Sequence, residues 1–294
     1  VWYDSRVQIL PIGAVPVSAL AFSSDGWHLY AGCDDGSLVR VHADGRVDSV
    51  GSFHRRVHAI AARPNSDDVY ACCEQWIATI NPESPPGKPD VLAKRTQHLT
   101  AIAFATPDVL VSGTGHLAKV AGGGCAFDDL AKNKTIGRAY NEAGGIRALA
   151  AHPGTPAVAW ATGDRAVRVL PLAKPDSVKI AFDQNANALA FSPDGTRLAL
   201  ALGRQVRIVD WRTQQLRGEA IAHTGHVGGV QYLPDGSILS AAWDEAVLRS
   251  DANGQEPRPL SPGIGKLTCL AVSPDGTKAA TGSATGHLAI WDLA

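Results

Sequence analysis

The side chains of this chain best suited to metal or nucleophilic chemistry are ten histidines and five cysteines. None of the histidines sits in a close metal-ligand pattern, though His223 and His226 stand three apart and could share a turn around a metal ion. The cysteines are Cys33, Cys72, Cys73, Cys125 and Cys269. Their number is odd and no CxxC occurs, so neither a disulfide framework nor a cysteine zinc site is expected. Cys72-Cys73 reads as a buried strand end. The chain has no phosphate-cradling GxxxxGK[ST], dinucleotide fingerprint, HExxH, calcium loop or GxSxG elbow. No cofactor and no metal are expected.

The elements that would position any site come from a repeat. Six turns recur along the chain: Ser24-Asp25-Gly26, Pro64-Asn65, Pro153-Gly154, Pro193-Asp194-Gly195, Pro234-Asp235-Gly236 and Pro274-Asp275-Gly276. A seventh, Thr106-Pro107-Asp108, is recognised by its flanks. Anchors at 24, 64, 106, 153, 193, 234 and 274 are separated by 40, 42, 47, 40, 41 and 40 residues. Pro presets φ, Gly accepts positive φ and Asp bonds its own backbone, so each reads as a hairpin turn between β-rich runs.

The residues ahead of each turn fix the packing. Four places back stand Leu20, Ile60, Ile102, Leu149, Leu189, Val230 and Leu270, all aliphatic. Three places back, six of the seven residues are alanine: Ala21, Ala61, Ala103, Ala150, Ala190 and Ala271, with Gln231 the exception. Strand faces alternate with period two, so one face is large and the other small. Both are apolar, so both are covered, unlike an antiparallel sheet with one wet face. Sheets stacked side by side, large face on small, meet this requirement. Later runs such as Leu38–Val41, Val167–Leu170, Val206–Val209 and Leu288–Trp291 add further strands. Residues 122–135, with three consecutive glycines and the 47-residue step, read as an enlarged surface loop. The last unit ends with three strands, and Val7-Gln8-Ile9-Leu10 has no hairpin partner ahead of it. Pairing the two would satisfy both sets of backbone groups and close a ring.

The pattern resembles the WD-repeat family of β-propellers. The residues that carry the likeness are Gly225-His226, His98 at the equivalent place in another unit, the terminal Trp291-Asp292, and the turns Ser192–Gly195 and Ser273–Gly276. Asp164 and Asp244 match the aspartates of a second tight turn. The resemblance implies an all-β, seven-bladed propeller of four-stranded antiparallel blades over residues 1–294. It gives His226 an ordinary structural role, and it implies that the buried hydrogen-bond network of such blades is complete in none of these units. Trp211 and Trp291 read as packing residues.

Six places before the anchors stand Ser18, His58, Thr100, Arg147, Asn187, Gly228 and Thr268. The resemblance places this level on the top face, near the mouth of the central channel. His58, Arg147 and Asn187 are the candidate partner-binding residues, with Arg55, Arg56, Trp76 and Trp243 enlarging the face; arginine and tryptophan are enriched in interface hot spots. The bland alternative is that these residues merely solvate the strand entrance. The expected function is a protein-interaction or scaffolding module that binds another protein or another domain of a longer chain. The alternative is an enzyme or small-ligand binder using the channel mouth.

Bulk properties narrow the partner. With 27 basic and 28 acidic residues the formal charge is −1, which gives no electrostatic case for nucleic acid. No stretch of 18 apolar residues is present, so no helix spans a membrane. A monomeric ring in a reducing, cytoplasmic setting is the expectation. The absence of methionine, even at position 1, reads as a mature form or an excerpt of something longer.

Overall fold

A computed structural model describes residues 7–80, 89–115, 123–142, 144–173 and 177–293. Seven four-stranded antiparallel sheets form seven blades. Blade 1 holds β2 (Val17–Phe22), β3 (His28–Cys33), β4 (Ser37–His42) and β5 (Val47–Ser52). Blade 2 holds β6 (Val57–Ala62), β7 (Val69–Cys73), β8 (Trp76–Ile80) and β9 (Asp90–Lys94). Blade 3 holds β10 (Leu99–Thr106), β11 (Val109–Thr114), β12 (Gly123–Asp129) and β13 (Lys134–Glu142). Blade 4 holds β14 (Ile146–Ala151), β15 (Ala157–Thr162), β16 (Ala166–Pro171) and β17 (Val178–Ala181). Blade 5 holds β18 (Ala186–Phe191), β19 (Arg197–Leu202), β20 (Gln205–Asp210) and β21 (Gln215–Ala222). Blade 6 holds β22 (Val227–Tyr232), β23 (Ile238–Ala242), β24 (Val247–Ser250) and β25 (Arg258–Leu260). Blade 7 holds β26 (Leu267–Val272), β27 (Lys278–Ser283), β28 (His287–Asp292) and β1 (Val7–Pro11).

The ring closes as the unpaired strand ends require. β1 lies antiparallel to β28, with Ile9 opposite Ala289 and Gln8 opposite Ile290. The innermost strands β2, β6, β10, β14, β18, β22 and β26 each touch their two neighbours around the centre.

An apolar cluster fills each of the seven gaps between blades. Val230 and Tyr232 of β22 press on Ala188, Ala190, Ala199 and Ala201 of blade 5. Ile102 and Phe104 meet Ala59 and Ala61, and Leu20 and Phe22 meet Ala271 and Ala280. This is the large-on-small stacking the alternating faces call for. The small residues matter because added methylenes in a close-packed gap force neighbours off their rotamers. Trp291 is buried in one such gap. Trp211 is buried in another, its indole donating to the Gly195 carbonyl at 2.8 Å.

The hairpin turns work as their residues dictate. Gly26, Gly195, Gly236 and Gly276 all have positive φ. Ser192 donates its hydroxyl to Asp194, and Ser273 to Asp275, which pins the turn from inside.

Residues 122–135 differ from expectation. Residue 122 lies outside the described residues. Residues 123–129 are not a loop but the buried strand β12, and β13 begins at Lys134. Gly123 answers a close approach. A Cβ on Gly123 would stand 1.9 Å from the Thr114 carbonyl oxygen and 2.6 Å from the Gly145 Cα. The extra length of this unit enters instead between β11 and β12.

Candidate functional site at the channel mouth

Every innermost strand carries a register shift near its start. In β2, Val17 faces Cys33 and Ala19 faces Gly32, so Ser18 is left over. The same shift isolates His58, Thr100, Arg147, Asn187, Gly228 and Thr268. The seven entrance residues are thus a ring of seven β-bulges. A bulge takes a residue out of the ladder and re-aims its side chain, which is why this level differs chemically from the alanine and aliphatic levels below it.

The ring divides into two kinds of position. The Ser18 hydroxyl lies 3.1 Å from Gly32 O in its own blade and 2.7 Å from Val57 O in the next. The Thr100 hydroxyl lies 3.3 Å from Gly113 O and 2.7 Å from Ile146 O. That of Thr268 lies 3.0 Å from Gly282 O and 2.5 Å from Val17 O. Each is a staple between adjacent blades. Each stapled hydroxyl faces a glycine in the second strand, and there the next blade comes very close. A Cβ on Gly32, Gly113 or Gly282 would stand 2.5 or 2.6 Å from a side-chain carbon of Val57, Ile146 or Val17 respectively. Sequence reasoning placed these hydroxyls in the ring but missed their role. The signal was present, in the pairing of a bulge Ser or Thr with a second-strand glycine.

Gly228 has no room for a side chain, since a Cβ would stand 2.8 Å from Thr268 O. His58, Arg147 and Asn187 remain. Arg147 donates from Nη2 at 2.9 Å and from Nε at 3.3 Å to Oδ1 of Asn187. With Arg56, His58, Thr100, Gly115, Gly144 and Ile146, these two line an open cavity of about 320 Å³. Its inner side adjoins the central channel, whose wall includes the seven aliphatic residues of the level below. Burial holds the His58 imidazole below its ordinary pKa; Arg56 and His98 push the same way, while Asp34 and Glu74 oppose them.

Arg55, Trp76 and Trp243 stand outside this cavity. Arg55 faces Glu74 at 3.7 Å, and Arg56, on the rim, faces Asp34 at 3.2 Å. Trp76 and Trp243 are exposed next to the turns between second and third strands, on the bulge side of the ring. Lys94 lies over the Trp76 ring at 4.6 Å. His226 packs edge-on against Trp243, with Lys266 on the same indole at 5.8 Å.

His223 and His226 do not converge on a common point. His223 is buried, its Nε2 2.8 Å from Ser240 Oγ and its Nδ1 3.1 Å from Asp244 Oδ2. The buried histidine of this blade is therefore His223, not the His226 of the Gly-His pair. Asp244 accepts from the backbone of Thr224 as well. The network expected to be complete nowhere has three members in place here, with Ser250 at the strand position that Trp291 holds in blade 7. In blade 3 the equivalent residue is Arg95 rather than His98. Its Nε lies 3.4 Å from Ser112 Oγ and its Nη2 pairs with Asp128. Blade 4 solves the same problem with Arg168, which donates to Thr162 and Asp164. Burial would raise the Asp164 pKa, but hydrogen bonds from Arg168, Thr162 and Lys179 outweigh it and hold the carboxyl well below the usual range. Among the described residues, no group of three or more His, Cys, Asp or Glu is arranged to hold a metal ion.

Residues 262–292, which cover blade 7 apart from β1, match the family model described as WD domain, G-beta repeat. An uncharacterized WD repeat-containing protein, sll1491, from Synechocystis sp. is 30% identical over 146 residues. That match covers 47% of this chain and 41% of the relative, so it spans about two fifths of the relative's length.

Proposed function

Because the chain is a seven-bladed WD-repeat β-propeller, we propose that it is an interaction scaffold. It binds a protein or peptide on the face that carries the bulges, at the corner of the channel mouth formed by His58, Arg147 and Asn187. The observation that supports this is the division of the bulge ring. Three hydroxyls are committed to holding blades together and one position admits no side chain. The three that remain are the longer polar side chains, and they sit around one open cavity. Trp76 and Trp243 add exposed aromatic surface on the same face, and Arg56 stands on the cavity's rim.

A small-ligand enzyme using the same mouth is the competing reading. Catalytic sites bring together several acids, bases or a metal. Among the described lining residues the only ionisable side chains are His58 and two arginines, which favours binding over catalysis.

The test is affinity capture from native extract with three proteins: the parent, Arg147→Ala/Trp243→Ala, and Trp27→Ala as a control on the opposite face. The double variant is expected to lose partners that the control retains, with unchanged circular dichroism. Full retention by the double variant would show that another face binds.

A further inference from the structure

We propose that the group received at this corner is a carboxylate, presented by an acidic peptide segment of the partner; this rests on the reading of the bulge face given above. The corner is rich in donors and poor in acceptors. A guanidinium carries five N–H donors. Arg147 uses two of its nitrogens on the neutral Asn187 oxygen, and among the described residues no carboxylate stands within ion-pair distance of it. With its oxygen turned to Arg147, Asn187 offers its amide nitrogen as a further donor. Arg56 adds a second guanidinium on the rim.

Among the described residues, no Asp or Glu lines this cavity or the channel beside it. Burial disfavours the charged His58 imidazole, Arg56 and His98 act the same way, and Asp34 and Glu74 oppose them. This positive corner is small. Asp34 and Glu74 hold Arg56 and Arg55 on its outer side, and the chain as a whole carries a charge of −1. A broad polyanion finds no extended basic track here, whereas a single acidic side chain fits a cavity of about 320 Å³. The exposed Trp76 and Trp243 give apolar flanks to the rest of a peptide.

The probes are fluorescein-labelled hexaglutamate and hexaglutamine, followed by anisotropy on the full chain. Hexaglutamate should bind and hexaglutamine should not. Arg147→Glu should weaken binding by about tenfold or more, Arg147→Lys should retain part of it, and Arg249→Glu should leave it unchanged. Melting curves should match the parent, since Arg147 is exposed. In parallel, the His58 imidazole, followed by NMR, should titrate at higher pH with hexaglutamate bound. Equal binding of hexaglutamine, or binding indifferent to Arg147→Glu, would overturn the proposal. So would binding seen only with a phosphate-bearing peptide. Loss of the captured partner in Arg147→Ala/Trp243→Ala without hexaglutamate binding would overturn the carboxylate while leaving the face intact. Retention of the partner by that variant overturns both.

Discussion

The hydroxyl of Thr268 donates to the backbone carbonyl of Val17 at 2.5 Å, across 251 positions of sequence and the gap where the ring closes. The Gly282 carbonyl of its own blade lies 3.0 Å from the same hydroxyl. Valine has the shape of threonine without the donor. Thr268→Val should therefore lower stability by about 1 kcal/mol, with an unchanged slope in urea titration, because closure loosens without the blades unfolding. An unchanged midpoint would mean that the bond is replaced by solvent at no net loss.

The same gap depends on β1. Its pairing with β28 supplies the fourth strand of blade 7, and the Ile12 N–H continues the contact to the Gly286 carbonyl. Removing residues 1–12 leaves β28 with a bare edge. The truncated chain should keep most of its β-sheet circular dichroism, lose about 3 kcal/mol or more of stability as several ladder bonds disappear, and aggregate. Cooperative melting at the parent temperature would contradict this.

The histidine-centred network makes stability pH-dependent. Burial holds His223 below its ordinary value of 6.5, against the opposing pull of Asp244. The unfolded chain therefore takes up a proton that the folded chain resists. The contribution is fully present above pH 6.5 and is lost as pH falls through 6.5 toward the folded value. Burial shifts His28, His58 and His152 in the same direction, so the whole protein should weaken on mild acidification. Asp244, which the Thr224 N–H and His223 hold below 3.8 against burial, adds its loss only in stronger acid. Chemical denaturation from about pH 7 to about pH 5 should show a shallower decline in His223→Gln than in the parent. Parallel curves would assign the slope elsewhere.

Much of this was legible in the sequence for a physical reason. Alternating Leu and Ala before a Pro-Asp-Gly turn encodes two covered faces of unequal size, and stacked blades satisfy it. Ring closure was legible because Val7–Leu10 and Leu288–Trp291 each lacked a partner. Two features misled. The Gly122-Gly123-Gly124 run looks like a loop, yet Gly123 is glycine because the Thr114 carbonyl leaves no room for a Cβ. The Gly225-His226 pair looks like the buried histidine, yet His223 is the one that reaches Ser240. Composition records which residues are small or polar, but not which neighbour crowds them. The bulge ring itself was found by position alone. Its division was not, because it depends on carbonyls of the next blade, as with Thr100 and Ile146 O, 46 residues apart.

If the unstapled side of the bulge ring binds the partner, hydrogen exchange of the chain alone and with its captured partner should show it most directly. Added protection is expected at residues 55–58, 145–148 and 186–188, with none at the opposite turns 24–27, 193–196 and 274–277. Protection confined to those turns, or to the outermost strands, would contradict it.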